Sequence, residues 1–160
     1  MTISVGDKLP DVKLMIGGAE GPAPTTSGEL FGGKKVVMFA LPGAFTPTCS
    51  AKHVPGFVEN YEAFKAKGVD ELVCVSVNDA FVMAAWGKDQ KAGDKVTMIG
   101  DGNGDFSKAV GLDFDGSGFG MGTRSQRYAL YAEDGVVKVL NVEEPGAFEV
   151  SSAQAMLAAI

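Results

Sequence analysis

Apolar and polar positions along this chain change period in short blocks. Val36-Val-Met-Phe-Ala-Leu41 is an unbroken apolar run of strand length, bounded by lysines and a proline, and predicts a buried strand at 36–41. Leu72-Val-Cys-Val-Ser-Val77 is apolar on both faces, as a central strand requires. Val96-Thr-Met-Ile99 predicts a third strand, and 12–16 a shorter, earlier one between the turns of Gly17-Gly18 and Gly32-Gly33. Elsewhere the period becomes helical. Val54, Phe57, Val58, Tyr61 and Phe64 share one face of a helix that starts at Thr46, runs to about Lys67 and stops at Gly68. Pro55 lacks the N–H that would bond the Ala51 carbonyl, which predicts a kink there.

Asn78-Asp79 caps a second helix over 80–90, a short helix is expected at 106–110, and Ser151 or Ser152 caps a last one over 153–159. Segments 127–132 and 136–142 flank Asp134-Gly135, a hairpin signal. A strand–helix–strand–helix–strand order gives a parallel layer, and the hairpin adds an antiparallel pair. The expected class is α/β, a mixed central sheet flanked by helices. No linker or repeat interrupts the chain, so residues 1–160 read as one domain.

Composition narrows the function. A hydrophobic share of 46% over 160 residues suffices for a substantial core. A net charge of -6 argues against a general binder of nucleic acid or anionic membranes. No segment approaches the roughly 20 apolar residues of a spanning helix, and the first residues lack the basic and apolar regions of a secretory signal. Two cysteines and one histidine make neither a disulfide framework nor a zinc site, so no metal or cofactor is expected. The lack of stapling cysteines suits a reducing compartment, here taken as the cytoplasm.

The candidate chemistry lies in Leu41-Pro-Gly-Ala-Phe-Thr-Pro-Thr-Cys-Ser-Ala-Lys-His-Val-Pro-Gly-Phe57. Thr46-Pro47 reads as an N-cap followed by proline at the first helical position. Cys49 then falls in the first helical turn, where unpaired N–H groups and the helix dipole favour the thiolate. As cap, the Thr46 oxygen would accept from the Cys49 N–H and leave its hydroxyl hydrogen for the sulfur or a substrate; a simple cap is the plainer reading. Pro42 ends the preceding strand. His53 sits four residues after Cys49, but that helical spacing is not how a cysteine-protease base is supplied, and it reads as a packing or hydrogen-bonding histidine. Cys74, inside an apolar strand, reads as an inert thiol beyond disulfide reach of Cys49. The two arginines, Arg124 and Arg127, cannot be brought to Cys49 by spacing alone. Asp101-Gly-Asn-Gly-Asp105 fails as a calcium loop at its later positions. Gly116–Gly122 fails as a dinucleotide motif and reads as a loop, with Phe119 and Phe45 as apolar walls beside the site.

The run Pro42-Gly-Ala-Phe-Thr-Pro-Thr-Cys-Ser-Ala-Lys-His-Val-Pro-Gly-Phe57 resembles the active-site motif of type II peroxiredoxins. The resemblance implies a thioredoxin-like fold and a thiol-dependent peroxidase acting on hydrogen peroxide and alkyl hydroperoxides. It implies that Cys49 is the peroxidatic thiolate, that Thr46 binds peroxide and orients the thiolate, and that Pro42 shields it. Arg127, leading Tyr-Ala-Leu-Tyr-Ala-Glu-Asp-Gly135, matches the family's catalytic arginine, with Arg124 the lesser candidate. Some relatives carry a resolving cysteine after a segment like Asn141-Val-Glu-Glu-Pro-Gly146; here Ser151 and Ser152 stand in that place. Restoration of Cys49 by an external thiol follows, from glutathione with glutaredoxin or from thioredoxin. A homodimer is expected by analogy. Two other readings compete. A disulfide reductase would need Cys-x-x-Cys, whereas Thr46-Pro-Thr-Cys49 has an oxygen in place of the first sulfur. A redox-sensing or holdase-like binding protein switched by Cys49 oxidation would not turn over peroxide.

Overall fold

Strand β3 (Lys35–Ala40) organises the molecule, because its alternating side chains enter two different cores. Val36, Met38 and Ala40 join one apolar cluster, and Val37, Phe39 and the following Leu41 join the other. A strand buried on both faces has to be apolar throughout, which is why this run is visible in the sequence.

The computed structural model describes residues 2–160. The chain begins with β1 (Lys13–Gly18), β2 (Gly21–Thr26) and α1 (Ser27–Phe31). After β3 come α2 (Val54–Glu59), α3 (Tyr61–Ala66), β4 (Glu71–Ser76), α4 (Ala80–Asp89), β5 (Val96–Gly100) and α5 (Asp105–Ala109). Two three-residue strands, β6 (Asp113–Asp115) and β7 (Thr123–Ser125), form a separate ribbon. The hairpin of β8 (Tyr128–Glu133) and β9 (Val136–Val142) and helix α6 (Ala153–Ala159) complete the chain. The main sheet has seven strands in the order β2-β1-β5-β4-β3-β8-β9. Its centre, β5-β4-β3, is parallel, and antiparallel pairs extend it on both sides. This is the expected mixed sheet flanked by helices, in the thioredoxin-like arrangement.

The predicted kinked helix over 46–67 is instead three pieces. Residues Cys49–His53 form a π-helical turn in which the Val54 N–H bonds the Cys49 carbonyl. Helix α2 then restarts with Pro55 in its first turn, where the missing N–H is harmless. The wide turn absorbs the proline that an unbroken helix would not tolerate. A second break falls at Asn60, whose side chain donates to the Gly56 carbonyl at 2.7 Å. Strand β2 is not predicted by the sequence, because Gly21-Pro-Ala-Pro24 carries turn signals. It is an edge strand, and Pro22 and Pro24 oppose Gly17 and Met15 at alternate positions, so both point their ring nitrogens away from the ladder.

Candidate active site

Three chain segments meet at the carboxyl end of β3. The loop after β3 is held by Asn78, whose side-chain oxygen accepts from the Ala44 N–H at 3.0 Å. Phe45 in this loop has φ of 64°, a left-handed conformation that a bulky residue seldom adopts. The π-turn follows directly. Ser50, next to Cys49, accepts from the Trp86 indole N–H at 3.0 Å, pinning the turn to α4. Cys49 is wholly buried.

Arg127 comes from the distant end of the chain. Strand β8 runs antiparallel to β3 with Tyr128 opposite Ala40, so the residue before Tyr128 arrives beside the loop that follows Ala40. Its Nη2 donates to Cys49 Sγ at 3.1 Å and its Nη1 donates to His53 Nδ1 at 2.8 Å. His53 Nε2 lies 2.9 Å from the Ser151 carbonyl oxygen. A carbonyl only accepts, so Nε2 carries the hydrogen and Nδ1 presents its lone pair to the arginine. Burial, then the adjacent Arg127 charge, lower the His53 pKa to about 3 against the opposing effect of the Ser151 bond. The ring is boxed by Phe39, Phe57 and Phe148 at centroid distances of 4.9, 5.7 and 5.0 Å. Both ring nitrogens are committed, so His53 has no lone pair with which to act as a base toward Cys49.

Thr46 sits where a cap belongs, and its carbonyl accepts from the Ser50 N–H at 3.0 Å. Its hydroxyl, however, donates to the Gly43 carbonyl at 2.7 Å. That bond turns the hydroxyl hydrogen to the loop, in place of the expected bond at Cys49. Pro42 lines a cavity of about 580 Å³ together with Thr48, Phe114, Phe119, Arg127 and Ala147. Arg127 thus touches both the cavity and the buried sulfur. Arg124 is close but directed elsewhere: its Nη1 donates to the Pro42 carbonyl at 3.3 Å and its Nε to that of Met121 at 3.0 Å. It packs over Gly43, where a Cβ would come within 2.7 Å of its Nη1. Phe119 is a cavity wall as expected, whereas Phe45 lies apart from it, 6.4 Å from the Trp86 ring.

Cys74 shares the apolar cluster of Cys49, on the same face of the sheet. Both thiols are free. Burial, and next the neighbouring Cys49, push the Cys74 pKa well above its ordinary value. Among the described residues no cluster of three potential metal ligands occurs, and no helix is long and apolar enough to cross a membrane.

Two contributors are not marked by local sequence. The sequence reads His53 as a packing or hydrogen-bonding residue and does not mark it as a partner of Arg127, although its position one turn from Cys49 is a usable signal. Nothing in the local sequence distinguishes Glu143 from its neighbour Glu144. One of its oxygens, Oε2, accepts from the Glu149, Val150 and Ser151 N–H groups at 2.8, 2.9 and 2.8 Å and from the Ser151 hydroxyl at 2.7 Å. Burial would raise its pKa, but these bonds outweigh it and hold the carboxyl below the ordinary glutamate value.

The Redoxin family profile matches residues 4–157. Peroxiredoxin-2E, chloroplastic, of Arabidopsis thaliana is 53% identical over 99% of this chain and 70% of its own length. Peroxiredoxin-2E-2, chloroplastic, of Oryza sativa subsp. japonica is 56% identical over 99% of this chain and 73% of its own length. The crystal structure of reduced Prx3 in complex with H2O2 from Vibrio vulnificus superposes with a TM-score of 0.94 at 52% identity, covering 99% of both chains. These relatives correct the cytoplasmic assignment, since the two plant proteins are chloroplastic. The cysteine count reports only whether a compartment is reducing, and that property does not single out the cytoplasm.

Proposed function

This chain belongs to the type II peroxiredoxins, thiol peroxidases that consume a peroxide and a thiol reductant, and from that premise we propose that Cys49 is its peroxidatic residue. The observation that carries the assignment is the Arg127 guanidinium donating to Cys49 Sγ at 3.1 Å. A fixed cation there stabilises the thiolate and then the charge that builds on the departing oxygen. The thiolate attacks one peroxide oxygen, the O–O bond breaks, and hydroxide or alkoxide leaves and takes up a proton. Sulfur becomes a sulfenic acid and the peroxide is reduced by two electrons. Pro42 shields the sulfur at the cavity wall, and Thr46 binds the peroxide after its hydroxyl leaves the Gly43 carbonyl.

Hydrogen peroxide and alkyl hydroperoxides are the proposed substrates. An external thiol condenses with the sulfenic acid, releasing water and leaving a mixed disulfide. A second thiol then restores Cys49. Glutathione with glutaredoxin is the favoured donor and thioredoxin the other. Ser151 and Ser152 where some relatives have a resolving cysteine, and the raised pKa of buried Cys74, support this one-cysteine cycle. We place the activity in one domain spanning residues 1–160 and expect a homodimer, for which the exposed Phe45 and Phe81 offer apolar surface. For the compartment, the chloroplastic relatives favour a plastid.

The test is peroxide consumption with each reductant in turn, on the parent protein and on Cys49→Ser and Cys74→Ser. Turnover should vanish in the first variant and persist in the second. Equal loss in both, with the fold intact, would reject Cys49 as the lone reactive thiol.

A further inference from the structure

Arg127 reaches the cysteine only if something fixes it from behind, and the segment from Glu143 to Ser151 supplies that backing. It gives His53 its Ser151 carbonyl, and it lays the Phe148 ring 5.8 Å from the Arg127 guanidinium carbon and 5.0 Å from the His53 ring. The segment has little regular structure of its own: it contains a turn closed by the Ala147 N–H on the Glu144 carbonyl, and Gly146 at φ of 81°. Its shape is imposed at one point, Glu143 Oε2, which gathers three backbone N–H groups and one hydroxyl. The same residue's backbone N–H donates to the Arg127 carbonyl at 3.0 Å. Glu143 therefore holds Arg127 by its main chain and, through Ser151 and His53, by its side chain.

We propose that Glu143 is a positioning residue for the peroxidase reaction: its carboxylate keys the 143–151 strap so that Ser151 and His53 aim Arg127 at Cys49. The proposal rests on the reading of Arg127 and Cys49 given above. No neutral side chain reproduces the arrangement, since an amide oxygen is a weaker acceptor for four converging donors and the amide NH2 would face donors itself. A carboxylate that accepts from three successive N–H groups also fixes the backbone direction, so its loss turns the Ser151 carbonyl rather than merely loosening it.

The experiment compares Glu143→Gln, Ser151→Ala and Arg127→Gln with the parent protein. It reads the rate constant for peroxide reduction and, by nuclear magnetic resonance, the hydrogen-bonded Nε2 proton of His53. Glu143→Gln should slow the reaction about 10-fold, the scale of a modest misplacement of a reacting group, and should shift or abolish the Nε2 proton signal. Ser151→Ala keeps the carbonyl but removes one donor to Glu143, and should move both readouts less, in the same direction. Parent-like rate in Glu143→Gln overturns the proposal, as does a slowed rate with the His53 signal unchanged. Should Glu143→Gln fail to fold, Ser151→Ala decides by the same two readouts, and parent values in both overturn the proposal. Arg127→Gln separates the two levels. A slow Arg127→Gln with an unaffected Glu143→Gln refutes the positioning role alone, whereas a parent-like Arg127→Gln refutes the underlying reading and the positioning role with it.

Discussion

Arg127 has two partners in different directions, Cys49 Sγ and His53 Nδ1, and only a guanidinium can donate to both from one plane. Arg127→Gln should slow peroxide reduction by about 100-fold, comparable to losing one oxyanion donor. Arg127→Lys should recover little of it, because a point charge cannot span both acceptors. Arg124→Gln, which removes bonds to the Pro42 and Met121 carbonyls, should cost less. Stopped-flow rates rank the three, and an Arg124 effect as large as that of Arg127 would reassign the role. His53 carries a second residue-scale consequence. Its pKa is lowered to about 3 in the fold from an ordinary 6.5, so between these values the unfolded chain binds a proton that the folded chain refuses. The stability from this residue is complete above the ordinary value and falls as the pH drops toward the folded one, by roughly 1 kcal/mol per pH unit. Urea titrations between about pH 5 and about pH 6.5 should show that loss. The comparison with His53→Gln isolates it from Glu143, which adds acid sensitivity at lower pH, and from Asp101, whose raised pKa opposes it. An equal slope in both proteins would refute it.

At the scale of the element, the π-turn decides where the sulfur points. Cys49 and His53 are its first and last residues, so its width sets the angle between the two side chains that Arg127 bridges. The turn is compatible with Pro55 because the helix restarts before the proline is reached. Pro55→Ala restores an N–H and removes the ring that blocks an α-register. The variant should relax toward an ordinary α-helix, protect one further amide from exchange, and reduce peroxide roughly 10-fold more slowly through misplacement of Cys49. A parent-like rate together with the gained amide protection would show that the turn is incidental to the chemistry.

For the molecule as a whole, the two cores determine what Cys74 can do. It sits in the central strand β4, registered against Phe39 on one side and Met98 on the other. Moving it toward an oxidised Cys49 would disturb two parallel ladders at once. After one equivalent of peroxide, intact mass and peptide mapping should find glutathione on Cys49 when glutathione is present, and further oxidation of the same residue under excess peroxide without it. A dominant Cys49–Cys74 disulfide would overturn the one-cysteine cycle. The sequence by itself determined the buried strands, the hairpin at Asp134-Gly135 and the place of Cys49 just inside a helix. These follow from interactions between near neighbours: apolar periodicity, a left-handed Asp-Gly turn and a proline at a helix start. It also held the chemical motif, which is a single contiguous run. Tertiary structure alone decided that Arg127 and not Arg124 meets the sulfur, that the Thr46 hydroxyl turns to Gly43, and that Glu143 acts through Ser151 and His53. The first and last of these depend on the register of β8 against β3 and the return of the 143–151 segment, pairings between residues 70 to 100 positions apart, whereas the Thr46–Gly43 bond is set within the loop that Asn78 holds. Local preference carries no record of such pairings, because their energy appears only when the sheet closes.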